Sequence, residues 1–107
     1  MSIQSKNKGK DILDIVKIRN IVLPLCKSKN IKHAYLFGSY ARGDADANSD
    51  VDIRIDKGDL KGLFAMAGFR LELKELLGKD VDVVVSDGLD DRFLLSIKKD
   101  EVVLYEE

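Results

Sequence analysis

A chain of 107 residues is one domain's worth, with room for one modest core and none for a large second substrate-binding domain. Hydrophobic residues at 45% and charged residues at 35% place it among soluble globular proteins rather than disordered ones. The 18 basic and 19 acidic residues leave a net charge of −1, so there is no overall basic footprint, though a local patch is compatible with it, and strong nucleic-acid binding is not expected. A single cysteine, Cys26, excludes an internal disulfide and suits a reducing compartment. With neither a leader-like apolar run nor a stretch of membrane-spanning length, the expected address is the cytoplasm.

Residues 1–10 are polar and rich in lysine, and a flexible tail is expected there, with Lys6, Lys8 and Lys10 keeping it solvated. The remainder, 11–107, reads as one domain. Ile12, Ile15, Val16, Val22 and Cys26 recur at helical spacing and predict an amphipathic helix over 11–29. Pro24 should kink or divide it, because proline removes a backbone donor and crowds the preceding turn. Ile31 to Phe37 is β-branched and aromatic, bounded by Asn30 and Gly38, and predicts a buried strand. After a turn at Gly38–Gly43 and a polar loop from Asp44, Val51 to Asp56 alternates strictly between apolar and charged residues. That is a strand with Val51, Ile53 and Ile55 on its core face. Leu60, Leu63, Phe64, Ala67 and Leu71 then predict a core-facing helix that stops at Gly78. Val81 to Val85 predicts a third strand, and Leu89 to Lys98 a short helix with Phe93, Leu94 and Ile97 inward. Glu101 to Tyr105 closes the chain as a strand or an extended tail. This order predicts a compact two-layer α/β sandwich, a mixed sheet with helices on one face.

Asp50 and Asp52 stand two apart on the second predicted strand, so both carboxylates leave the same face. Two such acids repel unless a cation lies between them, and a hard divalent ion such as magnesium suits oxygen ligands that share it with phosphates. Asp82, between Val81 and Val83, is a third acid, costly in an apolar strand unless paired. Should the two strands adjoin, three carboxylates meet, as two-metal phosphoryl or nucleotidyl transfer requires. Gly38–Ser39 lies where a strand gives way to a helical turn. A glycine there lets backbone approach a phosphate, and free amides with a hydroxyl can hold its oxygens. Arg42, one turn on, offers either a planar cation for phosphate or a structural cap of the turn.

Gly38-Ser39, ten intervening residues and Asp50-Val51-Asp52 resemble the G-S-x10-D-x-D signature of the DNA polymerase β nucleotidyltransferase superfamily. The longer string AYLFGSYARGDADANSDVDI resembles the minimal nucleotidyltransferases, the MNT family of bacteria and archaea, and the likeness extends through VDVVV to the closing EVVLYEE. The resemblance implies a polymerase β-like fold and magnesium, two ions, bound by Asp50, Asp52 and Asp82, with Asp82 also activating the acceptor hydroxyl. It implies that Gly38 and Ser39 hold the triphosphate of ATP. It further implies an antitoxin that adenylylates a tyrosine of a HEPN-domain ribonuclease toxin. Arg54 departs from the pattern, since the family often has an apolar residue there. It can pair with Asp52 or Asp56, or hold phosphate.

Plainer assignments stand beside these. An isolated Asp-x-Asp is as often a solvated pair on a half-exposed strand; the upstream Gly-Ser and the third acid tip the balance. Asp82 by itself could be a salt-bridged structural acid. Asp44 to Asp50 imitates the start of an EF-hand loop, but Ser49 and Ile55 occupy the positions that need glycine and glutamate. Asp44, Asp46 and Asn48 are then solvated loop residues. His33 reads as solvated, Tyr40 as packing or touching nucleotide, Cys26 as core. An antitoxin that only masks its toxin is the alternative to catalysis. An antibiotic-modifying nucleotidyltransferase fits less well, because such enzymes carry an added helical domain.

Overall fold

Asp14 starts the first helix: its carboxylate accepts the Lys17 backbone N–H at 2.7 Å, satisfying one of the donors a helix start leaves open. In the computed structural model, which describes residues 12–107, this helix α1 runs Ile15–Ser28. The expected tail, 1–10, lies outside the described residues. Pro24 stands in the third turn of α1, on its exposed side, and the helix continues through it undivided. Ile18, Val22 and Cys26 form its buried stripe, so Cys26 is core as expected, whereas Ile12 and Val16 are exposed. The inward direction is set by Ile18, one turn later than the periodicity suggested.

Strand β1 (His33–Phe37) leads straight into the short helix α2 (Gly38–Arg42), and strand β2 (Val51–Asp56) follows the polar loop. Helix α3 (Leu63–Leu77) crosses to strand β3 (Val81–Val85); a 3-10 turn, helix α4 (Asp91–Lys98) and strand β4 (Val102–Glu106) complete the chain. The sheet order is β3-β2-β1-β4. β1 runs antiparallel to β2 and β4, while β2 and β3 are parallel, as a helical crossover between neighbours demands. The sheet is therefore mixed. Residues 51, 53 and 55 of β2 join Ala34, Leu36, Val81 and Leu104 in one core cluster with the buried stripes of α1 and α3. Each large side chain fully buried there contributes roughly 2 kcal/mol.

The expected inward face of α3 is wrong. Phe69, Leu73 and Leu77 are buried, while Leu63, Phe64 and Leu71 are 88%, 96% and 56% exposed. Two apolar stripes at helical spacing coexist in this helix. The chain chose between them at its end: Gly78 caps α3 in the left-handed region, and β3 begins three residues later, so Leu77 must face the sheet. Helix α4 places Ile97 inward, but Phe93 stays partly exposed and meets Phe37 edge-on at 6.3 Å. Phe37 is the register partner of Asp52, so the contact lies on the sheet face away from α1 and α3.

Candidate active site

Strand alternation and register assemble the polar face. Asp52 lies directly opposite Asp82 across the parallel β2–β3 pair and opposite Phe37 across the antiparallel β1–β2 pair. Directly paired residues point to one face, so Asp52 and Asp82 share it, and Asp50 sits two residues before Asp52. Gly38, the residue after Phe37, is brought onto Asp52 itself. Its φ is +74°, and a Cβ built there would lie 2.2 Å from Asp52 Oδ2. Only glycine fits, on both counts. The turn expected to approach phosphate and the central acid are therefore in direct contact.

The electrostatics of Asp52 reflect this crowding. Burial first, then the charges of Asp82 and Asp50, push its carboxyl up to about 6, and the Arg42 guanidinium opposes them. Neither Asp52 nor Asp82 takes part in an ion pair among the described residues. Arg42 is exposed at the end of α2, paired to Asp44 at 3.2 Å and close enough to act on Asp52. Asp82 is itself exposed on an edge strand, so it is not the buried acid its apolar neighbours suggested. β3 has a partner on one side only, which leaves this carboxylate in water.

Among the described residues, no three His, Cys, Asp or Glu side chains stand arranged to hold a metal ion. The acids share a face and a field without converging on one point. As donors they suit a hard divalent cation: carboxylate oxygens only, the central one with its pKa raised by burial and then by its acidic neighbours.

Around this centre, other residues take structural parts. Asp46 organises the loop by accepting the Asn48 backbone N–H at 2.8 Å and the Ser49 hydroxyl at 3.3 Å. Lys79, unmarked by any sequence signal, is buried and donates from Nζ to the Ala47 carbonyl at 2.9 Å. It ties this loop to the start of β3. Tyr40 is buried in the core, so it packs. Beside Asp50 an open cleft of about 780 Å³ lies between the Ala47–Asp50 loop and the end of α3.

Arg54, on the same face, is 5% exposed, and its guanidinium is engaged by protein partners. Its Nε and Nη2 donate to the two Glu101 oxygens at 2.5 and 2.8 Å, its Nη1 donates to Ser86 Oγ at 2.6 Å, and its guanidinium lies 4.2 Å from the Tyr35 ring centre. Asp56 is a looser partner at 3.8 Å. Asp56 instead pairs with His33, whose Nδ1 is 2.8 Å from its Oδ2, so His33 is not merely solvated. A buried arginine calls for a bidentate acid. Glu101, immediately before the last strand, was the partner that sequence reasoning missed.

The fold and this acid–glycine centre define a nucleotidyltransferase: the family described as "Polymerase beta, Nucleotidyltransferase" matches residues 17–107, and the chain belongs to it. Among curated proteins it is similar to small ones named as protein adenylyltransferases. A Methanocaldococcus jannaschii protein named for that activity is 36% identical over 77 residues, covering 72% of this chain and 83% of the relative. The protein adenylyltransferase MntA of Thermococcus cleftensis is 37% identical over 59 residues, 55% of this chain and 60% of the relative. Among solved structures, one of a toxin–antitoxin with AMP-PNP matches with a TM-score of 0.73 at 25% identity, over 83% of this chain and 73% of that one.

Proposed function

We propose that this protein transfers AMP from ATP, with magnesium, to a tyrosine hydroxyl of a HEPN-domain toxin, and so acts as its antitoxin in the cytoplasm. The observation that carries the reading is the register of Asp52 against Asp82 with Gly38 seated on the Asp52 carboxylate. The named activities of the relatives and the toxin–antitoxin neighbour with its ATP analogue support the substrate and the partner.

Asp50, Asp52 and Asp82 are the residues that would hold magnesium, which supplies positive charge for phosphate oxygens and for the ionising acceptor. Gly38 admits the triphosphate close to backbone, and the Ser39 hydroxyl with neighbouring amides orients its oxygens. Arg42 swings from its exposed pairing with Asp44 to a phosphate oxygen. The acceptor oxygen attacks the α-phosphorus, pyrophosphate leaves in line, and Asp82 takes the acceptor proton from its exposed edge position. Positioning and fixed charge supply the rate enhancement.

The test incubates the protein with ATP labelled at the α-phosphate, magnesium and a HEPN-domain protein of the same genome. Label on a mapped tyrosine with wild type, reduced on the order of 10³-fold by Asp52→Asn, is expected. Toxin neutralised equally by both proteins with no label transferred means masking instead of catalysis.

A further inference from the structure

The chain leaves the sheet after β3 and returns to it at β4, and the stretch between passes from one edge strand to the other. Ser86 is the first residue out, and Glu101 is the last before re-entry. Arg54 holds both. Its Nη1 donates to Ser86 Oγ, while its Nε and Nη2 donate to the Glu101 carboxylate. A planar guanidinium presents its donors in fixed directions, so one arginine can fasten two chain ends at once. The stretch it fastens carries α4 on the acid face, where Phe93 meets Phe37 edge-on. Ile97 is the only buried residue of α4. The place of this helix therefore depends on its two fastened ends and on Phe93.

Phe37 is where that placement reaches the acids. It is the register partner of Asp52 and the N-cap of α2, and the residue after it is Gly38, pressed on the Asp52 carboxylate. Phe37 is itself buried, with the Phe93 ring against it. Close-packed groups pass a displacement on to their neighbours, so a shift of Phe93 moves Phe37 and with it Gly38. We infer that Arg54 is a positioning residue of the acid–glycine site. By tying down both ends of residues 86–101 it keeps Phe93 against Phe37, and Phe37 keeps Gly38 seated on Asp52. The inference rests on the transferase reading above for what this seating does, and on the folded chain alone for the seating itself. ATP binding is spread over the three acids, Ser39 and Arg42 and tolerates a small displacement, whereas in-line attack does not.

The experiment compares wild type with Arg54→Lys, which keeps the charge and loses the fork, with Phe93→Ala, and with their combination. Leu95→Ala, at an exposed position of the same helix, is the control. Two quantities are read: the Gly38 backbone amide resonance of isotope-labelled protein, and the kinetics of transfer from α-labelled ATP to a HEPN-domain protein of the same genome. Arg54→Lys and Phe93→Ala should each move the resonance and lower kcat on the order of tenfold or more, with KM for ATP within about twofold of wild type. Their combination should be no worse than the poorer single variant, because both act through one contact. Phe93→Tyr keeps the ring and should match wild type. Where Arg54→Lys melts too low to assay, Ser86→Ala, which removes one of the two ties, takes its place. A Gly38 resonance left in place by both variants overturns the inference, and so do losses that multiply in the combination. So does a loss in Leu95→Ala as large as theirs, which marks general loosening. Wild type that transfers no label removes the transferase reading, and the resonance alone then decides: moved by Arg54→Lys and Phe93→Ala but not by Leu95→Ala, it upholds the positioning role.

Discussion

The polar face of β2 carries two charged clusters a few residues apart, and they are balanced in opposite ways. At the strand's start, Asp52 faces Asp82 with Asp50 nearby, and only the exposed Arg42 offsets their repulsion. At its end, Arg54 is held by both oxygens of Glu101, by Ser86 and by the Tyr35 ring, and Asp56 is held by His33. The titration of the two aspartates records the contrast. Asp52 is pushed up to about 6. For Asp56, burial would act in the same direction, but Ser86, His33 and Arg54 outweigh it and hold the carboxyl below its ordinary range. One end is balanced within the chain, and the other is left with negative charge that only Arg42 opposes. Shared strand, shared face and opposite balance separate a structural ion cluster from the acids proposed to bind a ligand.

Breaking the balanced end should have the largest effect on stability. Arg54→Met leaves Glu101 enclosed without its cation and loosens Asp56, at a cost of about 3 kcal/mol. Urea unfolding measures the loss, and magnesium-ATP binding at the far end should survive it. The double variant Arg54→Met with Glu101→Leu should recover most of the stability, because apolar packing replaces a buried pair at little net cost. A single variant as stable as wild type would mean the two ends do not differ as described.

The unbalanced end is best perturbed through its glycine. Gly38→Ala combines a strained positive φ with a methyl group on the Asp52 carboxylate, and should cost about 2 kcal/mol while displacing that carboxylate and depressing transfer. Gly43→Ala is the control: its φ is +87°, yet nothing lies within 4 Å of the added Cβ. It should cost only backbone strain, about 1 kcal/mol. Equal losses at the two glycines, read by thermal melting and label transfer, would separate Gly38 from any role beside the acid.

What sequence alone made legible was local. The alternation of Val51 to Asp56 placed Asp50 and Asp52 on one face, and the motif spacing tied Gly38–Ser39 to them. Each of these facts lies within a single strand or a short span of chain. Facts that depend on distant segments were lost. Glu101 is 47 residues from Arg54, and nothing in either neighbourhood selects the other. The exposure of Asp82 follows from β3 being an edge strand, a property of sheet order and not of the VDVVV string. The rotation of α3 was misjudged because the helix has two apolar stripes, and only its tight return into β3 chooses between them.

The subtlest test compares the two carboxylates by their pH dependence in metal-free protein. The folded pKa of Asp52 lies above its unfolded value, so between about pH 4 and 6 the folded state holds a proton that the unfolded chain has released. Stability from this group therefore falls as pH rises through that window, and at pH 7 its charge is a burden. Asp56 has the opposite sign: its lowered pKa gives stability present above the unfolded value and lost as pH falls through the folded one. Asp52→Asn should accordingly melt higher than wild type at pH 7. For a half-exposed carboxylate screened by solvent, the gain should be about 1 kcal/mol, or roughly 5 °C in a domain this size. The gain should shrink as pH is lowered from 6 towards 4, because wild type then acquires by protonation what the amide supplies at every pH. Asp56→Asn should instead melt lower than wild type at pH 7, with the deficit closing only at pH values below 4. A gain for Asp52→Asn that stayed constant from pH 4 to 7 would show that the two aspartates do not differ in the direction of their shifts.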